Sequence, residues 1–430
     1  MSATPRVAAA RCVAAVLGGQ SLQQALPVQR ERVAAAQRPF FQQLVYGGLR
    51  ALPRSEALLQ QLLPRPLKDK DRDIHALLLL GIYELTEMQT PSHAAVSANV
   101  EAATGLRKAW AKGLVNAALR RYLRERDALA GALDPAAAAA YPRWLWDAIG
   151  AQWPEHRSAI VAASNSAPPM CLRLREGSSN RAAYLAALAD VGIGASPCLL
   201  SPVGVRLDHG VDVGVLPGFA DGLVSVQDEA AQLAAPLLAP AAGERILDAC
   251  AAPGGKACHL AELAGPTADI VALDHDPERL TRVADNARRL RLALELRSAD
   301  ATAPPPDLGT FDRILADVPC SATGVLRRNP DIKVLRRPDD IAQFAALQTR
   351  ILMGLWPLLR PQGRLLYVTC SILHEENDDV ISALLHAQHD ARLVHVPGLA
   401  GEPTRHGQQL LPAAAGPDGL YFCLLEKVAG

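Results

Sequence analysis

Aromatic residues make up only 4% of this 430-residue chain, so platforms for stacking nucleic-acid bases are few. An excess of charge is also missing: 44 Lys and Arg face 44 Asp and Glu, which excludes a uniformly basic nucleic-acid binder and an acidic solvating tail. The eight cysteines (Cys12, Cys171, Cys198, Cys250, Cys258, Cys320, Cys370 and Cys423) contain no CxxC pair. That spacing argues against a disulfide framework and a zinc ribbon, so free thiols, a cytoplasmic protein and no metal are expected. No run of about 18 apolar residues offers a membrane span. The start, Met1 to Arg6, lacks the basic flank and apolar run of a secretory signal. Neither GxGxxG nor GxxxxGK[ST] is present, which weakens dinucleotide and ATP readings.

The zero net charge is a cancellation. Residues 1–134 carry 18 basic and 11 acidic side chains, and residues 135–430 carry 26 and 33. The first segment reads as helix after helix, with a buried central helix around Ile74–Leu85. Its last helix, about Lys108 to Arg126, exposes Arg120, Arg121, Arg124 and Arg126. An all-α domain is therefore expected over 1–134. Residues 135–236 read as a helical, Trp-bearing linker followed by a small α+β unit, with strands near Cys171–Arg175 and Val203–Leu207 around a helix from Asn180 to Val191. Over 237–430 strands and helices alternate, which predicts an α/β domain with a mostly parallel sheet. Its strands are expected at Arg245–Ala249, Asp269–Leu273, Ala293–Arg297, Arg313–Ala316 and Gly363–Thr369, with a last one at Tyr421–Lys427.

The chemistry gathers at the predicted strand ends, where open α/β sheets bind ligands. The first strand runs into Asp248-Ala-Cys250-Ala251-Ala252-Pro253-Gly254-Gly255-Lys256, a glycine turn opening a helix. The next three strands end near Asp274, Asp300 and Asp317. Asp274 is placed for ribose hydroxyls and Asp300 for an adenine amino group. The four carboxylates suit a ligand with a ribose, an amino-purine and a cationic centre, as in S-adenosylmethionine. Two cysteines follow neighbouring strands, in Asp317-Val-Pro319-Cys320-Ser321 and Thr369-Cys370-Ser371. Carbon 5 of cytosine is a poor nucleophile, and a thiolate adding to carbon 6 would turn the ring into an enamine that can be methylated. The isolated cysteines Cys12, Cys171, Cys198 and Cys423 are expected to be buried and inert.

Asp248–Lys256, Asp317–Gly324 and Thr369–Ser371 resemble the motifs of the RNA cytosine-C5 methyltransferase family. The run Arg327–Lys333 and the helical N-terminal segment are similar to the branch of that family with a domain like the antitermination factor NusB. The resemblance spans essentially the whole chain. It implies a NusB-like RNA-binding domain, a small α+β RNA-binding unit and a Rossmann-like methyltransferase domain. S-adenosyl-L-methionine is the implied cofactor, held by the Cys250–Lys256 loop, Asp274, Asp300 and Asp317. The implied substrate is 16S ribosomal RNA, at the cytosine numbered 967. Cys370 is implied as nucleophile, Cys320 as assisting breakdown of the adduct, Asp317 as holding the cytosine edge, and Lys256 as a helper. DNA cytosine-C5 methyltransferases use a Pro-Cys cysteine, so the residues alone leave Cys320 open as the nucleophile.

A basic run, Arg327, Arg328, Lys333, Arg336 and Arg337 against one Asp331, directly follows the Pro-Cys motif and is expected to rim the active-site mouth as a phosphate contact. The target base must leave any stack to be attacked, so accessible, partly single-stranded RNA is expected. A monomer with no membrane association is anticipated. An amino-group methyltransferase would want a (D/N)PPY-like motif where Asp317-Val-Pro-Cys320 stands. An RNA-binding assembly factor with a vestigial methyltransferase fold is the main alternative of another class.

Overall fold

The computed structural model describes residues 3–177 and 180–429, so the first two residues of the start lie outside it. The chain divides into two compact units. The first comprises the residues up to Ser166 together with a returning segment, Leu326–Pro338. Helices at Pro5–Leu17, Arg38–Arg50, Leu52–Leu62, Arg72–Glu87, Ser92–Gly105 and Lys112–Gly131 make its body. Thr4 caps the first helix by accepting from the Val7 amide, and Pro5 sits at its first turn, where a missing N–H costs nothing. The central helix, Arg72–Glu87, buries Ile74 and the run Ala76–Leu80 against Val7, Val13, Leu44 and Leu119. The helical domain is expected over 1–134, and the compact unit reaches further. Three further helices, Pro135–Ala138, Arg143–Gln152 and Arg157–Asn165, lie within the same unit.

The returning segment is the larger correction. The sequence reading set Arg327, Arg328, Lys333, Arg336 and Arg337 on a phosphate-binding rim. Arg327 is 1% and Lys333 5% exposed. Lys333 Nζ donates to the carbonyls of Arg50 at 3.1 Å and Ala140 at 3.0 Å and to Asn165 Oδ1, and lies 4.5 Å from the Tyr141 ring centroid. The Arg327 carbonyl accepts from Arg50 Nε at 3.1 Å and Nη2 at 2.7 Å. Asp331 takes the Leu22 amide at 2.9 Å, satisfying a donor at the start of the helix Leu22–Arg30. Val334 and Leu335 pack on the helical core. A lysine amino group wrapped by carbonyls inside a helical unit is not presented to a phosphate, and burial beside Arg50 and Arg54 pulls it well below the ordinary lysine range. Arg328 and Arg336 are half-buried and Arg337 is exposed.

The second unit begins with a four-stranded antiparallel sheet, β1 (Met170–Leu174), β2 (Ala195–Pro197), β3 (Gly204–Leu207) and β4 (Val224–Val226), in the order β2-β3-β1-β4. One helix, Arg181–Asp190, packs Tyr184 and Leu188 with Leu172, Leu174 and Val205. The unit then builds a nine-stranded sheet. Its parallel part consists of β5 (Arg245–Asp248), β6 (Asp269–Asp274), β7 (Glu295–Ser298), β8 (Phe311–Asp317) and β9 (Leu359–Thr369), ordered β7-β6-β5-β8-β9. The chain reverses its winding direction between β5 and β8, which opens a crevice at their carboxyl ends. Three short strands, β10 (Ala391–Leu393), β11 (Glu402–Pro403) and β12 (Gln408–Leu410), and the long β13 (Leu420–Lys427) complete the sheet antiparallel, with β13 beside β9. No helix among the described residues is long and apolar enough to cross a membrane.

Candidate active site

The glycine turn after β5 is dictated by close packing. Gly254 has φ +101°, and a Cβ there would lie 3.0 Å from the Val283 Cα, so no other residue fits without displacing backbone. The turn opens the helix Gly255–Ala264, which carries Lys256 over the end of the sheet. Ala251 turns into an apolar cluster with Leu280 and Val283.

A cavity of about 450 Å³ lies at the carboxyl ends of the parallel strands. It collects Cys250 and Ala252 from the turn, the carboxylates Asp274, Asp300 and Asp317, and both Cys320 and Cys370. Apolar Leu273, Val318, Leu347 and Ile351 share its lining. The predicted Ala251, Pro253, Gly254, Gly255 and Lys256 do not line it, although they build the turn that does. His275, Arg279 and Thr302 line it without having been singled out by sequence. His275 and Arg279 follow the strand-terminal Asp274 at one and five residues, the only sequence signal they carried.

The carboxylates differ in state. Asp274 is buried and accepts from the amides of Ala252 at 3.2 Å and Asp276 at 3.1 Å, which ties the turn to the end of β6. Asp300 is exposed, and its bonds to Thr302 hold its carboxyl below the usual range. Asp317 receives the Lys256 ammonium at 2.6 Å. Burial opposes the charge on Lys256, but Asp317, Asp248 and Cys370 outweigh it and raise the ammonium above its ordinary value. Asp248, 1% exposed, is pushed up to about 7 by burial and by Asp317, with Lys256 and the Cys250 amide pulling the other way.

The two cysteines come together, with Cys320 Sγ and Cys370 Sγ 3.2 Å apart and neither in a disulfide. The Cys370 sulfur and then burial push the Cys320 thiol well above the ordinary cysteine range. The loop after β8 docks on the second cysteine, since the Gly324 amide donates to the Cys370 carbonyl at 2.8 Å. A Cβ on Gly324 would come within 2.2 Å of the Gly419 carbonyl oxygen, so that approach requires glycine. Cys12, Cys171, Cys198 and Cys423 are buried.

This lining suits S-adenosylmethionine by its donor and acceptor chemistry. Carboxylates are present for the ribose, the amino-purine and the cationic end, and apolar side chains are present for the rings. Family models match three stretches of the chain. They are the NusB family over residues 3–124, a ferredoxin-like domain of RsmF/B-like methyltransferases over 141–214, and the 16S rRNA methyltransferase RsmB/F over 235–426. Among curated relatives, the ribosomal RNA small subunit methyltransferase B of Pseudomonas putida is 50% identical, with 99% of each chain covered. That of Vibrio cholerae is 44% identical over 98% of this chain and 97% of its own. The crystal structure of PH0851 superposes with a TM-score of 0.81 at 23% identity, covering 99% of this chain and 100% of that one, and shows the fold. A methyltransferase homolog protein from Pyrococcus horikoshii has a TM-score of 0.61 at 26% identity, covering 69% of this chain and all of its own. The chain is thus an S-adenosylmethionine-dependent methyltransferase built from a NusB-like helical domain, a ferredoxin-like domain and a Rossmann-like catalytic domain. It belongs to the ribosomal RNA small subunit methyltransferase B family.

Proposed function

We propose that the protein methylates carbon 5 of a cytosine in 16S ribosomal RNA, at position 967 by family resemblance, through a covalent bond between Cys370 and the base. The paired sulfurs 3.2 Å apart at the ends of β8 and β9 carry this reading. A methyltransferase acting on an amino nitrogen has no use for a second thiol there. Cys370 adds to carbon 6 through its sulfur, as the more exposed member of the pair. Asp317, fixed by Lys256, holds the cytosine edge and favours a proton on the ring as the addition pushes charge into it. That proton is given back when the adduct breaks. S-adenosylmethionine, when bound, supplies the methyl group that carbon 5 takes.

Breakdown then removes the carbon-5 proton, whose bonding pair closes the C5=C6 double bond while the C6–S bond breaks. The Cys320 thiol gives its proton to the departing Cys370 sulfur and, as the thiolate this leaves, takes the carbon-5 proton. Cys370 releases one proton to solvent before the next addition, which balances one methyl transferred. The enzyme is read as a cytoplasmic monomer, and the target base as flipped from any stack.

Cys370→Ala is expected to abolish methylation, and Cys320→Ala to accumulate an RNA–protein adduct that survives denaturing gels. An adduct formed by Cys370→Ala alone would reverse the two roles. Bisulfite mapping of ribosomal RNA from cells with and without the protein tests the substrate, and unchanged cytosines would remove it. Tritiated methyl transfer to naked 16S RNA separates the enzyme from an assembly factor with a vestigial fold, which transfers nothing.

A further inference from the structure

The two cysteine-bearing loops share one buried anchor. Glu376 is 0% exposed and stands on the short turn that follows β9. Each catalytic cysteine is followed directly by a serine, and both serines converge on this carboxylate. The Ser321 amide donates to Glu376 Oε1 at 2.7 Å, and the Ser321 hydroxyl donates to Oε2. The Ser371 hydroxyl donates to the same Oε2 at 2.6 Å. Gln348 Nε2 donates to Oε1 at 3.1 Å and to the Pro319 carbonyl at 3.0 Å, so the helix Pro338–Leu355 joins the same knot. A carboxylate has about four acceptor sites. Those of Glu376 are used by four donors, two from the Cys320 loop, one from the Cys370 loop and one from the helix. Tyr367 in β9 fixes the anchor's own backbone by donating to the Glu376 carbonyl at 2.6 Å.

The side-chain hydrogen bonds of Glu376 go to the two serines and Gln348 and not to the sulfurs, and its charge adds to the rise of the Cys320 thiol. What the knot controls is the separation of two sulfurs carried on different strands. A backbone loop held by one hydrogen bond can shift by an ångström, whereas the two serines here are held on one rigid group. We propose that Glu376 is a positioning residue that sets Cys320 against Cys370, so that the proton exchange that releases the methylated base can occur. This deepens the covalent two-cysteine reading and rests on it.

The Cys370 addition needs only one sulfur and the base. Release needs both sulfurs in register. Misplacing Cys320 by about 1 Å costs on the order of 10- to 100-fold in a positioned step. Glu376→Asp keeps the charge and shortens the reach, so it cannot hold both loops at once. We expect it to lower kcat by about 10- to 100-fold with unchanged KM for RNA and unchanged S-adenosylmethionine affinity. It should also raise the fraction of protein trapped as the RNA adduct, as Cys320→Ala does. The double variant Ser321→Ala/Ser371→Ala removes the hydroxyl struts at little cost in volume and should behave alike, which keeps the test available if Glu376→Asp does not fold. A folded variant with unaltered turnover and adduct fraction overturns the proposal. So does a variant in which adduct and turnover fall in proportion, since that is loss of active protein. Cys320→Ala measured in parallel separates the two readings. No adduct there sinks the two-cysteine chemistry, whereas an adduct there but none from Glu376→Asp and the double-serine variant sinks the role of Glu376 alone.

Discussion

Asp248 shows how one residue at a strand end can be read for its type and still hide its state. Its place in the Asp-Ala-Cys turn was legible, but its state was not, because that depends on burial and on the charges of Asp317 at the end of β8 and Lys256 on the helix after the turn. With its carboxyl raised to about 7, the folded protein binds a proton that the unfolded chain releases near pH 4. The stability this group contributes is therefore full below about pH 4 and is lost as pH rises through about 7. Asp248→Asn should cancel that loss, worth at most about 4 kcal/mol. Urea unfolding of both proteins at pH 5 and pH 8 checks it. The gap between them should move in favour of the variant at pH 8, and an equal gap at both pH values contradicts the buried charge.

At the scale of elements, three of the five parallel strands, β5, β6 and β8, were legible as hydrophobic runs ending in Asp, and β7 and β9 from the alternation with helices around them. β10, β11 and β12 were not, since two- and three-residue edge strands such as Glu402–Pro403 take their conformation from pairing partners. The segment 326–338 misled for a related reason. Five cations in eleven residues resemble a solvated basic rim, and only packing shows that Lys333 is used to tie helix ends together. Lys333→Ala removes those bonds and strands the buried carbonyls of Arg50 and Ala140, so a loss of about 2 to 4 kcal/mol is expected. Arg337→Ala, at an exposed position of the same segment, should stay within about 0.5 kcal/mol. Thermal denaturation of both variants distinguishes a peg from a rim. Arg121, expected on the exposed basic side of its helix, likewise donates to the carbonyls of Gln61 and Leu62 at 3.2 Å and closes a helix end.

For the whole molecule, the first unit is not a continuous stretch of chain, since it takes in Leu326–Pro338. A fragment ending at Ser166 would leave the Leu22 amide without Asp331 and the core without Val334 and Leu335. Such a fragment should melt well below the same fragment supplemented with a synthetic peptide of residues 326–338. Calorimetry with and without the peptide tests this, and no binding would show that the segment contributes nothing to the helical core. The charge split, +7 against −7, was arithmetic on the sequence. Burial is not written in such sums: Arg327 and Lys333, two cations of the acidic half, are both inside.

The sequence by itself determined the order of the main elements, the methyltransferase motifs, and which carboxylates and cysteines stand at the strand ends. Each of these is local, written in a strand end, a glycine turn or a Pro-Cys step. Tertiary structure alone decided that the two sulfurs meet at 3.2 Å, that Ser321 and Ser371 share Glu376, and that a basic run becomes part of a helical core. Those facts join residues some fifty to three hundred positions apart in the chain, and no local pattern encodes which distant neighbour will bury a charge.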